Sequence, residues 1–415
     1  MRTSTLDILR CPYCGGRLSL VESLFHRSTA DEIQDGILGC HCCIFPVVDG
    51  IPVLHLLPAA TTARDQMQAG EPGLARRTMV GVENEEAEAF EAAAGSPTAT
   101  YKETVESLGP NFEGGYFLYR FSDPTFVVAQ AVVNAVAGTV LGGARRAIDI
   151  CGGSGHLTRT LQEHSTAPPI LADLYFAKMW LARRFTAPGC EPVCCDGNAP
   201  MPFARGAFSF AMCTDAFMYI WTKRQFVGEM ARLIDAPGGE PGAMLIGHTH
   251  NERTWSPSHG QPLTPEGYAD LFETIEPRIF GEANLFNDIV NGGALDLSRR
   301  DSQSELDGDP ALTLVASSHP RVFARHALEP LGKARGEFRL NPLYSVESDG
   351  PNVRLRLRFP SDDYEQEYGA CRRYLPDEAT VARAELDALP AAAPTGALAD
   401  LARRRVILDL PKRYY

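Results

Sequence analysis

Basic charge is scarce in this chain: 39 Lys and Arg stand against 52 Asp and Glu over 415 residues, a net charge of −13. Nucleic-acid affinity rests on neutralising phosphates, so this balance counts against a DNA or RNA partner. Long apolar runs are missing too. The densest stretch, Phe126 to Val140, is broken by Gln130, Asn134 and Gly138, short of the roughly 20 clean residues a membrane span needs. Met1 to Arg10 holds no apolar core that would read as a secretion signal, and no repeat period shows. With 44% hydrophobic residues, disorder throughout is excluded. A cytoplasmic globular protein without membrane contact is expected, long enough for a full α/β core and at least one smaller unit.

An even cysteine count is also absent. There are eleven, which without a secretion signal disfavours a disulfide framework. Five fall in the first 43 residues, as Cys11-Pro-Tyr-Cys14 and Cys40-His41-Cys42-Cys43. Two close groups of soft ligands, separated by a hairpin-like stretch, suit a tetrahedral Zn2+. The expected ligands are Cys11, Cys14, Cys40 and Cys43, with Cys42 or His41 as alternatives in the second group. A redox pair or ordinary buried thiols are the competing readings. Four protein ligands leave no open position for a substrate, so such a zinc would be structural, stapling a unit of residues 1–58. Residues 59–109 then read as a partly helical, solvated linker, because Gly81 to Pro110 carries seven acidic residues against Lys102 alone.

From residue 110 the pattern changes. Arg146-Ala-Ile-Asp149-Ile-Cys151-Gly152-Gly153-Ser154-Gly155-His156-Leu157 reads as a buried strand, a glycine-rich turn and a helix start. A second strand ends at Asp173-Leu174, where an acid can accept hydrogen bonds from both hydroxyls of a ribose. A third reaches Asp196-Gly197, placing a carboxylate where an adenine amino group could meet it. A fourth, Ala207 to Thr214, leads through Asp215 and Tyr219 into a helix from Lys223. The fifth, Gly242 to Gly247, empties into His248-Thr249-His250-Asn251. Strand and helix alternating over short connections is the signature of a mainly parallel sheet, which binds ligands beyond the carboxyl ends of its strands.

On these residues the segment 110–255 resembles a class I S-adenosylmethionine-dependent methyltransferase. The match lies in Asp149 followed by its glycine loop and in Asp-Gly-Asn-Ala-x-x-Pro-Phe from Asp196 to Phe203. The resemblance implies a Rossmann-like α/β sheet and S-adenosyl-L-methionine as cofactor. Cys151, Gly152, Gly153 and Gly155 would wrap its methionine and ribose parts, Asp173 and Leu174 its ribose, and Asp196 and Gly197 its adenine. Asp149 and Thr214 complete the expected set. Cys151 departs from the first loop glycine, and Ser209 stands where many members have aspartate. Residues 6–56 also resemble the Trm112-like zinc ribbon found ahead of many bacterial methyltransferases.

Methyl transfer needs an acceptor aligned with the sulfonium, and O or N acceptors must also lose a proton. His248 and His250 are the candidate bases, His250 preferred because it lies farther from the sheet. Either could instead cap a turn or hydrogen-bond Asn251. Tyr219 could orient the acceptor or simply pack beside Phe217; Asp215 could hold substrate or cap the helix near Thr222. Residues 256–350 are expected as an insertion covering the substrate, with late sheet elements, and 351–415 as a carboxyl-terminal strand and helical segment. In the former, Thr264 marks a helix cap; in the latter, Arg354, Arg356 and Arg358 alternate along a strand, and Pro390 and Pro394 split the helix. The reading is methyl transfer to a small molecule, of the kind made in natural product biosynthesis. An RNA base methyltransferase and a non-catalytic binding module are the alternatives, and self-association is a role open to the carboxyl-terminal segment.

Overall fold

The computed structural model describes residues 1–109, 112, 115–142, 145–254, 260–328, 336–389 and 394–415. The amino-terminal unit is a small antiparallel sheet of β1 (Ser19–Leu20), β2 (Arg27–Ser28), β3 (Ile33–Gly39), β4 (Ile44–Val48) and β5 (Ile51–Pro52). It is not a free appendage. Val53 bridges Cys194 in parallel, and the Leu54 N–H donates to the Cys194 carbonyl at 2.7 Å. Trp180 Nε1 donates to Asp49 Oδ2 at 2.6 Å, which ties the same unit to a helix of the core.

The acidic stretch after it folds into α1 (Pro58–Gln68), α2 (Pro72–Val80), α3 (Asn84–Gly95) and α4 (Tyr101–Ser107). The helices were expected; the solvated linker is corrected, because these helices pack into the core. Phe90 and Tyr101 are fully buried, as are Ala63 and Met67. Glu85, Glu86 and Glu88 stay on the exposed face while Phe90 packs edge-on to Trp180 at 5.1 Å. Burial of a phenylalanine stabilises by roughly 2–3 kcal/mol. Composition alone hid this, because a few inward apolar residues per helix suffice to dock it: Ala63 and Met67 in α1, Met79 in α2, Phe90 in α3 and Tyr101 in α4.

The core begins with α5 (Pro124–Val140), apolar around most of its circumference and accordingly buried along most of its length, from Phe126 to Ala137. Asp123 caps it, accepting from Phe126 N at 2.6 Å, and Pro124 occupies its first turn. Then follow β6 (Arg146–Ile150), α6 (His156–His164), β7 (Ile170–Asp173), α7 (Phe176–Leu181), β8 (Glu191–Cys194), β9 (Phe208–Thr214), α8 (Lys223–Ile234) and β10 (Ala243–His250). Beyond these come α9 (Pro265–Ala269), β11 (Arg278–Gly281), α10 (Glu282–Val290), β12 (Ala294–Asp296), α11 (Gln303–Gly308) and β13 (Ala311–Ser317).

Seven strands form one sheet in the order β11-β13-β10-β9-β6-β7-β8. β6, β7, β8, β9 and β10 pair in parallel; β13 runs antiparallel to both β10 and β11. The strand order reverses between β6 and β9, where a doubly wound sheet opens a crevice at its carboxyl ends. The expected Rossmann-like α/β core is present, but its limit at residue 255 is corrected. β11 and β13 belong to the same sheet, so the stretch read as a covering insertion supplies an edge of the core. The cap was legible: Thr264 Oγ1 accepts from Gly267 N at 3.1 Å. The cover expected from Trp255 and the break at Pro390 fall partly outside the described residues.

The carboxyl-terminal part has its own core, running from Phe338 to Ile407 and so crossing the expected division at 350/351. β14 (Arg325–Ala327) pairs with β12; β15 (Glu337–Leu340) pairs with β19 (Ile407–Leu410); β16 (Tyr344–Asp349), β17 (Asn352–Leu357) and β18 (Glu378–Ala382) make a third small sheet. β18 lies in the stretch expected to be helical. Val353 and Leu355 are buried as the alternation requires. Arg356 faces Glu347 and Glu378 at 3.5 and 3.1 Å, and Arg354 faces Asp349 at 3.7 Å. That row is a solvated cross-strand ion-pair face. Among the described residues no helix is long and apolar enough to cross a membrane.

Candidate functional site

The turn after β6 is built for close approach. Cys151 adopts φ 60° and Gly155 φ 76°, left-handed values that strain Cys151 and suit Gly155. A side chain on Gly152 would lie 2.5 Å from Asp149 Cγ and from Leu171 Cδ1, so this position admits only glycine. The turn delivers the chain into α6, whose first residues His156 and Leu157 line the crevice.

Three acids stand at the ends of three adjacent strands. Asp149 is fully buried; its Oδ2 accepts from Thr158 Oγ1 at 2.6 Å while Oδ1 has no partner among the described residues. Burial raises its carboxyl to about 7, against the Thr158 hydrogen bond. Asp173 accepts from Gly153 N at 2.9 Å and from Tyr175 N at 2.8 Å, and burial pushes it upward too. Asp196 accepts from Asn198 N at 2.8 Å. All three line one cavity of about 540 Å3. Cys151, Gly152, Gly153, Leu174, Gly197 and Thr214 line it as well; Gly155 does not, serving the turn instead.

Of the four residues singled out for chemistry, Asp215 and Tyr219 line the cavity and the two histidines do not. Tyr219 is 51% exposed at its mouth. Asp215, at φ 56°, pairs with Arg120 Nη2 at 2.9 Å rather than capping α8, which starts without a side-chain cap. His248 and His250 were expected on a loop; they close β10, whose pairing with β13 slips between Ile246 and Thr249. At that irregularity His248 takes φ 46°. Its ring is no free base. Burial alone would lower it, but the charge and hydrogen bonds of Glu282 outweigh that and raise it to about 9. Glu282 occupies the His248 Nδ1 at 2.7 Å and the residue does not line the cavity, so the structure does not bring it to the site where it was expected as a base. His250, its ring 5.7 Å from that of His248, is lowered by burial and then by the His248 charge. Its carbonyl accepts from Tyr268 Oη at 2.7 Å.

Several lining residues carried no signal in the sequence. Arg120 Nη1 reaches Asp123 at 3.2 Å while Nη2 holds Asp215, and only 6% of Arg120 is exposed. Phe117 and Tyr175 flank the Lys178 ammonium at 5.2 and 5.0 Å. Two of these contacts, Arg120 with Asp215 and Phe117 with Lys178, join residues far apart in the chain, and no local spacing encodes them.

In the amino-terminal unit the sulfurs of Cys11, Cys14, Cys40 and Cys42 lie within 4.8 Å of one another. Cys11 and Cys42 are 3.6 Å apart, Cys14 and Cys40 3.7 Å, Cys40 and Cys42 3.6 Å. A tetrahedron of Zn–S bonds of about 2.3 Å has edges of about 3.8 Å, so this donor set fits zinc. Cys43, expected as the fourth ligand, is replaced by Cys42. The Cys43 sulfur lies 3.3 Å from Cys42 Sγ but outside the set of four, and its N–H donates to Cys40 Sγ at 3.4 Å.

No protein-family model matches the chain, and no curated protein sequence matches it. Solved structures align with about half of it. A geranyl diphosphate C-methyltransferase from Streptomyces coelicolor A3(2), with S-adenosyl-L-homocysteine, is 15% identical over 55% of this chain and 84% of its own, TM-score 0.35. A complex of the Haloferax volcanii Trm112 methyltransferase activator is 16% identical over 45% and 88%, TM-score 0.34. An S-adenosylmethionine-dependent methyltransferase from Thermotoga maritima is 13% identical over 49% and 91%, TM-score 0.31. At these values the functional reading rests on the strand order and the cavity.

Proposed function

We propose that this chain is an S-adenosylmethionine-dependent methyltransferase acting on an oxygen or nitrogen of a small molecule. The observation that carries it is the convergence of Asp149, Asp173 and Asp196, each at the end of its own strand, on one cavity beside the glycine turn. The cofactor supplies an electrophilic methyl group on sulfur. Asp173 would accept from the ribose hydroxyls, Asp196 from the adenine amino group, and Oδ1 of Asp149, without a partner among the described residues, marks a polar wall that solvent or ligand must satisfy. Gly152 lets the turn pack directly on Asp149 and Leu171 at the cavity wall.

Thr214, Asp215 and Tyr219 then flank the acceptor side. Asp215, held in place by Arg120, can orient a hydroxyl or amine. Neither histidine lines the cavity, so neither is assigned the acceptor's proton. The acidic balance of the chain favours a small acceptor over RNA. The Cys11, Cys14, Cys40 and Cys42 unit holds structural zinc in this reading.

Calorimetry with S-adenosylmethionine and S-adenosylhomocysteine tests the proposal. Binding of both in the micromolar range is expected, and no heat at millimolar ligand removes the enzyme reading.

A further inference from the structure

The last turn of the chain is docked behind the cavity wall. Tyr414 is 1% exposed and stacks on Tyr101 with ring centroids 4.7 Å apart. Its hydroxyl donates to the Phe117 carbonyl at 2.9 Å and lies 2.8 Å from His156 Nε2. His156 opens α6 directly after the glycine turn, and both it and Phe117 line the cavity. Tyr415 Oη donates to the carbonyl of Leu118, next to Phe117. The 3-10 segment Gly115–Ser122, which also carries Arg120 into the cavity, is further held by the carboxyl-terminal unit. Tyr374 Oη donates to the Ser122 carbonyl at 2.7 Å and Arg405 Nη2 to the Phe121 carbonyl at 3.1 Å.

We infer that Tyr414 is a positioning residue for the amino-acid end of the bound cofactor, acting through His156 and Phe117. This rests on the methyltransferase reading. The first turn of α6 is where a carboxylate is favoured; His156 opens that turn, and Phe117 lines the same cavity. A phenol has one proton. With it donated to the Phe117 carbonyl, the Tyr414 oxygen must accept from His156 Nε2–H, which fixes the imidazole tautomer and leaves Nδ1 as an acceptor. Burial keeps that ring neutral, lowering it to about 3. One hydroxyl therefore sets the backbone position of one wall residue and the donor and acceptor pattern of another.

The test compares two ligands on Tyr414→Phe, which keeps the ring and its stack on Tyr101. S-adenosylhomocysteine carries the amino-acid end; 5′-methylthioadenosine shares the adenosyl thioether but lacks it. The variant should bind S-adenosylhomocysteine about tenfold more weakly and methylthioadenosine within about twofold of the unaltered chain. Equal loss for both ligands, or loss for neither, overturns the inference. Failure of the unaltered chain to bind either ligand overturns the cofactor reading itself. A second measurement does not depend on the variant folding: nitrogen NMR of the histidines should show His156 as the Nε2–H tautomer, unchanged between pH 5 and 8. The Nδ1–H tautomer, or titration in that interval, also overturns it.

Discussion

Glu282 grips His248 twice, its Oε2 2.7 Å from Nδ1 and its Oε1 accepting the backbone N–H at 2.9 Å. Thr313 Oγ1 donates to the same Oε1 at 2.8 Å. The pair joins α10 to the irregular end of β10 and fixes a cation beside His250. Because His248 is raised above its unfolded value of about 6.5 to about 9, its contribution to stability is complete below pH 6.5. It is lost as pH rises through 9. Glu282→Gln removes the charge that raises it and leaves burial to dominate. Urea midpoints should therefore fall between pH 7 and 9.5 in the unaltered chain and lose that slope in the variant. Parallel profiles would show that the pair does not hold a proton.

The choice among clustered cysteines is open to a direct measurement. Cys42 stands in the set of four sulfurs and Cys43 does not. Cys42→Ser should lose zinc on purification and lower the melting temperature of the amino-terminal unit. Cys43→Ser should keep about one zinc per chain by elemental analysis, since it removes only a thiol packed against the core. Retention of zinc by Cys42→Ser and its loss from Cys43→Ser would restore the ligand set expected from spacing.

Asp149 sets stability against binding. Its carboxyl is raised above the ordinary value near 3.9 to about 7 by burial. Its contribution is thus fully present below pH 3.9 and lost as pH rises through 7. At pH 7.5 the buried charge is a cost. Asp149→Asn can still accept from Thr158 and should melt a few degrees higher than the unaltered chain, while S-adenosylhomocysteine affinity falls by about tenfold or more. A variant that melts lower would mean that Asp149 chiefly holds the turn together.

The parallel strands and the acids at their ends were legible because each depends on a short window: an apolar run, then a turn, then a carboxylate. What failed to show depends on contacts across the chain. β13 runs against its neighbours, and nothing local in Ala311–Ser317 says that it inserts between β10 and β11. α3 looked solvated because its glutamates outnumber the one buried phenylalanine that docks it. Cys42 and Cys43 are adjacent, so spacing could not choose between them; the register of β4 did. Glu282 and Tyr414 act on residues 34 and 258 positions away.

Arg120 is a cation of the cavity wall whose role can be separated by pH. One guanidinium nitrogen meets Asp123 at 3.2 Å and the other meets Asp215 at 2.9 Å, with Asp123 only 1% exposed. The planar fork serves two carboxylates at once, which an ammonium at the same place does not reproduce. Arg120→Leu strands both acids, and breaking a buried pair in this way costs about 3–5 kcal/mol. Burial already raises Asp123 and Arg120 opposes that, so without the cation Asp123 takes up a proton more readily and the penalty should shrink between pH 7.5 and 5. Arg120→Lys should lie between the two and also weaken S-adenosylhomocysteine binding. Urea denaturation at both pH values decides it: a penalty that does not change with pH means that Arg120 acts by packing its stem against the cavity wall, and not by neutralising the two aspartates.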